Sequence, residues 1–207
     1  MVQAFKTTQD RSITTLPILE SDEAFDGLEE IFEQIAVGLY SLASMLVGEG
    51  EESMRLVEDA IASAKVSPCA NPLEARASCQ RTLGIAALAM LAERDAASLT
   101  PPEGLAPASV CIEEDDLASA GISNEELEEM ISGQERDHVR EWLASLPTWM
   151  RTVFVLRSVA GFTAAETTKL LQKHGGPKAA GWSAEVVREV YRQGLCSLAS
   201  QVLRNRD

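Results

Sequence analysis

The chain has little of what most enzymes and metalloproteins are built from. Only two of its 207 residues are His, His138 and His174, and its four Cys (Cys69, Cys79, Cys111, Cys196) form no C-x-x-C pair. That spacing argues against both a zinc knuckle and a disulfide scaffold. Four buried or inert thiols are expected, with no metal and no cofactor. A G-x-x-x-x-G-K-[ST] phosphate loop, a G-x-S-x-G elbow and an H-E-x-x-H pair are all missing. No catalytic residue can be nominated, and the expectation is a protein that is not an enzyme. No stretch approaches the ~18 consecutive apolar residues of a membrane helix. Residues 1–20 are polar and mixed in charge, without the basic start and apolar middle of a secretory signal. A cytoplasmic protein with no membrane partner is therefore expected. The alternating apolar–polar pattern of a half-buried strand is also absent, which predicts an all-α fold.

What is present is ordinary in amount but uneven in distribution. The chain is 45% hydrophobic and 24% charged, enough to bury a core in one or two domains. Its net charge of −14 argues at first against nucleic acid. Residues 1–134, however, carry 25 Asp/Glu and 7 Lys/Arg, a net of −18, whereas residues 135–207 carry 7 Asp/Glu and 11 Lys/Arg, a net of +4. Such asymmetry suggests two different partners. A basic region can attract phosphate on an acidic molecule, because screening limits each field to about 8 Å at physiological salt.

Residues 1–20 read as a loose tail. From Asp22 the periodicity is helical, with Leu28, Ile31, Phe32, Ile35, Leu39, Leu42 and Leu46 on one face, and Gly48 and Gly50 end the helix. A second helix is predicted from Glu51 to about Ala64, with Met54, Val57 and Ile61 inward. A third follows Asn71, a cap residue with Pro72 in the first turn and Glu74 at the capping-box position. It extends to about Ala97, with Leu83, Ala87, Met90 and Leu91 as core. Thr100-Pro101-Pro102, Pro107 and the acidic run Glu113 to Asp116 mark a solvated linker. Ser123 and Glu126 form another capping box before a short helix ended by Gly133.

The last segment carries the most information. A helix over about Gln134 to Ser145 is broken at Leu146-Pro147. A second runs from Thr148 to Val159, with Val153, Leu156 and Val159 apolar. Gly161 turns the chain. Thr163, with Glu166 in a capping box, starts a third helix that ends in Leu170 and Leu171. A loop containing Gly175, Gly176, Pro177 and Gly181 leads to Ser183, the cap of a final helix to about Leu203. A helix, a Gly turn and two capped helices are the layout of a helix-turn-helix, whose second helix lies in the major groove. Arg188 and Arg192, four apart on that helix, can reach phosphate or guanine. Glu185–Arg188 and Glu189–Arg192 pairs on a solvated helix are the competing arrangement. Trp142 and Trp149 are read as core, and Trp182 as a staple between the final helix and the body.

The run from Leu146-Pro147 through Leu156-Arg157, Gly161, Phe162, Thr163 and Ala165-Glu166 to Leu170-Leu171 resembles region 4 of the bacterial RNA polymerase sigma factors of the extracytoplasmic-function group. Upstream, Leu39 to Gly48 followed by Leu56 to Ala64 is similar to the family's region 2. The resemblance implies two small helical domains, a region 2-like domain over 21–98 and a region 4-like helix-turn-helix domain over 123–207, joined by a linker over 99–122. It implies a transcription initiation protein whose partners are core RNA polymerase, through its β′ and β subunits, and promoter DNA. Carried over by position, Leu56, Val57 and Asp59 match the polymerase-docking helix, and Thr163, Ser183, Arg188 and Arg192 match DNA-facing positions.

Three features depart from the family. From Leu73 to Leu91 there is no aromatic residue, and only Arg76 and Arg81 are basic, whereas strand opening needs a stacking surface and phosphate neutralisation. Arg55 stands where the family has an acidic residue. Eleven residues separate Leu171 from Ser183, a longer turn than the family uses. These departures and the acidic front part favour an alternative: a sigma-like interaction protein that binds an anti-sigma factor without opening a promoter.

Overall fold

A computed structural model describes residues 35–66, 71–105 and 136–204. The fold is all-α, with no strand among the described residues. We number the helices α1 (35–47), α2 (Glu51–Ser63), α3 (Pro72–Arg94), α4 (Arg136–Ser145), α5 (Thr148–Ser158), α6 (Ala164–His174) and α7 (Ala184–Arg204). A 3-10 turn, Pro177–Gly181, lies between α6 and α7. The tail 1–20, Leu28, Ile31, Phe32, Pro107, the acidic run, the Ser123–Glu126 capping box and Gly133 lie outside the described residues.

The first three helices follow their apolar stripes, with one correction. Ile35, Leu39, Leu42 and Leu46 of α1 are buried as predicted. On α2 the inward stripe is Ser53, Leu56, Val57 and Ala60, spaced at three and four residues. Met54, expected inward, is 54% exposed because it sits off that stripe. The Asn71 side chain accepts the Glu74 backbone N–H at 2.9 Å at the start of α3. This is only the forward half of the expected capping box. Helix α3 stops at Arg94, three residues short of the predicted end. Asp95 takes over there: its carboxylate accepts the Ala97 N–H at 2.8 Å and its carbonyl the Ser98 N–H at 3.0 Å, which turns the chain.

The rear helices pack around Phe154, which is fully buried on α5. Trp142 of α4 meets it edge-on at 5.1 Å, and Tyr191 of α7 lies tilted against it at 5.7 Å. Trp142 also donates its indole N–H to the Ser197 hydroxyl at 2.9 Å, so its polar edge is satisfied inside the core. Trp149 is partly buried against the same core.

Buried residues from Ile35 to Leu99 and from Val139 to Leu198 belong to one continuous core. Helix α3 packs on α6, and Gly84 on α3 lies beside Leu156 and Phe162. The residues that open the predicted linker are not solvated: Leu99 is buried and Leu105 packs against the core.

The cysteine expectation needs correcting. Cys79 is a free, buried thiol, and burial pushes its pKa up. Cys196 on α7 is disulfide-bonded. Missing C-x-x-C spacing excludes only local pairs, so it gave no sign of this. Cys69 and Cys111 lie outside the described residues.

Candidate nucleic-acid interface

The turn into α6 is built by three residues in succession. Gly161 takes φ 68°, a left-handed conformation that favours Gly. The Phe162 N–H then returns to the Leu156 carbonyl at 3.0 Å. The Thr163 hydroxyl accepts the Glu166 N–H at 3.2 Å, while the Glu166 carboxylate accepts the Thr163 N–H at 3.0 Å. Both halves of this capping box are present, as predicted. Arg157 locks the corner: it donates to the Phe162 carbonyl at 2.9 Å, and its guanidinium lies 4.8 Å from the Tyr191 ring centre.

Glu166 also holds a residue from the front half. Arg81 of α3 donates to its carboxylate at 2.8 Å and covers the Phe162 ring at 5.4 Å. The Thr163 N–H and hydroxyl, followed by Arg81, hold the Glu166 carboxyl below its ordinary range.

The eleven residues between Leu171 and Ser183 are an ordered insert. Helix α6 runs on to His174, Gly176 turns at φ 81°, and the 3-10 turn carries the chain to Trp182. Trp182 is 1% exposed and donates its indole N–H to the Leu99 carbonyl at 2.8 Å, while its own carbonyl accepts from Gln172 at 2.7 Å. It staples the insert to the segment after α3. Gly176 faces Ala92, and Gly181 faces Pro101. Ser183 then starts α7, its hydroxyl accepting the Val186 N–H at 3.2 Å.

The four predicted DNA-facing residues fall into different situations. Thr163 and Ser183 are exposed, and each caps a helix. Arg188 is exposed and forms no ion pair among the described residues. Arg192 is half-buried and paired with Glu189, which also accepts from Gln193. Of the two competing Glu–Arg pairs on α7, Glu189–Arg192 forms and Glu185–Arg188 does not.

Three cations escaped the sequence reading. Lys169 and Lys173 on α6 and Lys178 in the insert are all exposed, with no ion pair among the described residues. The four-residue spacing of the first two and the net charge of this half were the available signals. On the predicted polymerase-docking helix, Leu56 and Val57 are core residues, 3% and 8% exposed, and only Asp59 is open to a partner. His138 is exposed and His174 half-buried, and no cluster of His, Cys, Asp and Glu suited to a metal occurs among the described residues.

Compared with protein-family models, curated proteins and solved structures, the chain matches none. No helix among the described residues is long and apolar enough to cross a membrane.

Proposed function

We propose that this chain is a sigma-factor-like transcription initiation protein of the cytoplasm, binding core RNA polymerase and duplex promoter DNA, with α6 and α7 as its helix-turn-helix. One observation carries the reading. Two side-chain-capped helices, started by Thr163 and Ser183, carry or flank four exposed cations, Lys169, Lys173, Lys178 and Arg188, none of them paired with a carboxylate among the described residues. Cations held in this way release counterions when they meet phosphate, which supplies most of non-specific duplex affinity.

The test is fluorescence anisotropy with a pool of promoter duplexes between about 50 and 200 mM salt. Log affinity should fall linearly with log salt, at roughly 0.9 per phosphate contact. Arg188→Ala should weaken binding and flatten that slope by about one contact. No saturable duplex binding at the lowest salt would end the proposal. Co-purification of β and β′ subunits from lysate tests the polymerase half.

The alternative, capture of an anti-sigma factor without promoter opening, draws on two observations. Arg192 is held by Glu189. Arg81, one of two basic residues on the aromatic-free stretch of α3, is occupied by Glu166 and Phe162. That reading expects no duplex binding at moderate salt and tight association with a helical partner.

A further inference from the structure

Where α1 ends, α4 and α5 close over it and leave a half-open cavity of about 280 Å³. This is just below the roughly 300–1,000 Å³ of small-molecule sites. Met45, Leu143 and Ala144 supply an apolar wall, and Arg140 and Arg151 also line the cavity. The two arginines are not equivalent. Arg140 is ion-paired with Glu49, a carboxylate of the same lining. Nearby Arg94 is likewise satisfied, by Glu52 and by the Val47 carbonyl at 3.0 Å.

Arg151 has no such partner among the described residues. It is half-buried and forms no ion pair among the described residues, and its buried Nε–H has no acceptor among them. The Nε–H of Arg140 is also buried, without an acceptor among the described residues. Glu141, the other carboxylate on the lining, is exposed and makes no ion pair among the described residues. Burial and the charge of Arg94 both act against the Arg151 cation. A guanidinium cannot escape by losing its proton, so a partly desolvated one without a counter-charge carries a cost that an arriving anion offsets. A planar carboxylate matches the two-pronged guanidinium, and its carbon tail would cover the apolar wall.

We propose that this cavity binds a small organic carboxylate with an apolar tail, its charge held by Arg151. The site is independent of the nucleic-acid reading. The test is isothermal titration of the full chain with hexanoate, hexanamide and inorganic phosphate, for the natural protein and for Arg151→Met and Arg151→Lys. Saturable hexanoate binding is expected, at least tenfold weaker for hexanamide and for Arg151→Met, and partly kept by Arg151→Lys. Without ligand, Arg151→Met should melt at the same temperature as the natural protein or higher, and hexanoate should no longer raise its melting temperature. Absence of saturable hexanoate binding overturns the proposal. So does equal binding of hexanamide, equal binding by Arg151→Met, or phosphate binding as tight as hexanoate.

Discussion

Two helical glycines show how single contacts decide the sign of a substitution. A Cβ on Gly84 would meet Leu156 and Phe162 at 3.5 Å, ordinary van der Waals contact. Gly84→Ala therefore keeps only the helix-propensity benefit and should stabilise the protein by about 0.5–1 kcal/mol. A Cβ on Gly194 would lie 2.7 Å from Cδ2 of Phe154. That ring is fully buried and wedged between Trp142 and Tyr191, so it cannot swing away. Overpacking costs roughly 1–3 kcal/mol, more than the ~1 kcal/mol of helix gain, so Gly194→Ala should destabilise. Urea unfolding of the two variants side by side checks both signs. Glu166 gives a third residue-scale prediction. Its carboxyl titrates lower in the folded than in the unfolded chain. The stability it contributes is therefore complete above the unfolded pKa of about 4.3 and is lost as pH falls through the folded value. Thermal melts should show Glu166→Ala less stable than the natural protein at neutral pH, with the gap narrowing on acidification.

At the scale of elements, punctuation was easier to read than facing. The break at Leu146-Pro147, the turn at Gly161 and the caps at Asn71, Thr163 and Ser183 are local backbone chemistry, and each occurs where the residues place it. Which side of α2 turns inward depends on neighbours far along the chain: Val57 is buried as its spacing predicts, whereas Met54 faces outward and Leu56, not on the predicted stripe, is core. The same limit hid the candidate carboxylate pocket, whose arginines share no sequence motif with the end of α1. The insert before α7 shows local and distant effects together. Its Gly and Pro mark a loop, but its order comes from Trp182 reaching the Leu99 carbonyl. Trp182→Phe removes that donor and leaves a buried carbonyl unpaired, which should cost about 1–3 kcal/mol in chemical denaturation. Little change would show that the insert is held by packing alone.

For the molecule as a whole, the charge split between front and rear coexists with a single interior. The contacts that join the halves are mostly apolar, with Arg81–Glu166 and Arg140–Glu49 as ion pairs across them. Exposed pairs of this kind contribute about 0–1 kcal/mol each, so burial does most of the joining. Calorimetry should then record one cooperative transition with matching calorimetric and van't Hoff enthalpies, and two resolved transitions would show that the halves melt separately. The joined interior also bears on how affinity would be measured. A partner able to grip front and rear only when they are parted would bind tenfold more weakly for every ~1.4 kcal/mol needed to separate them. Dissociation constants taken on the intact chain would then understate what either half can do once released.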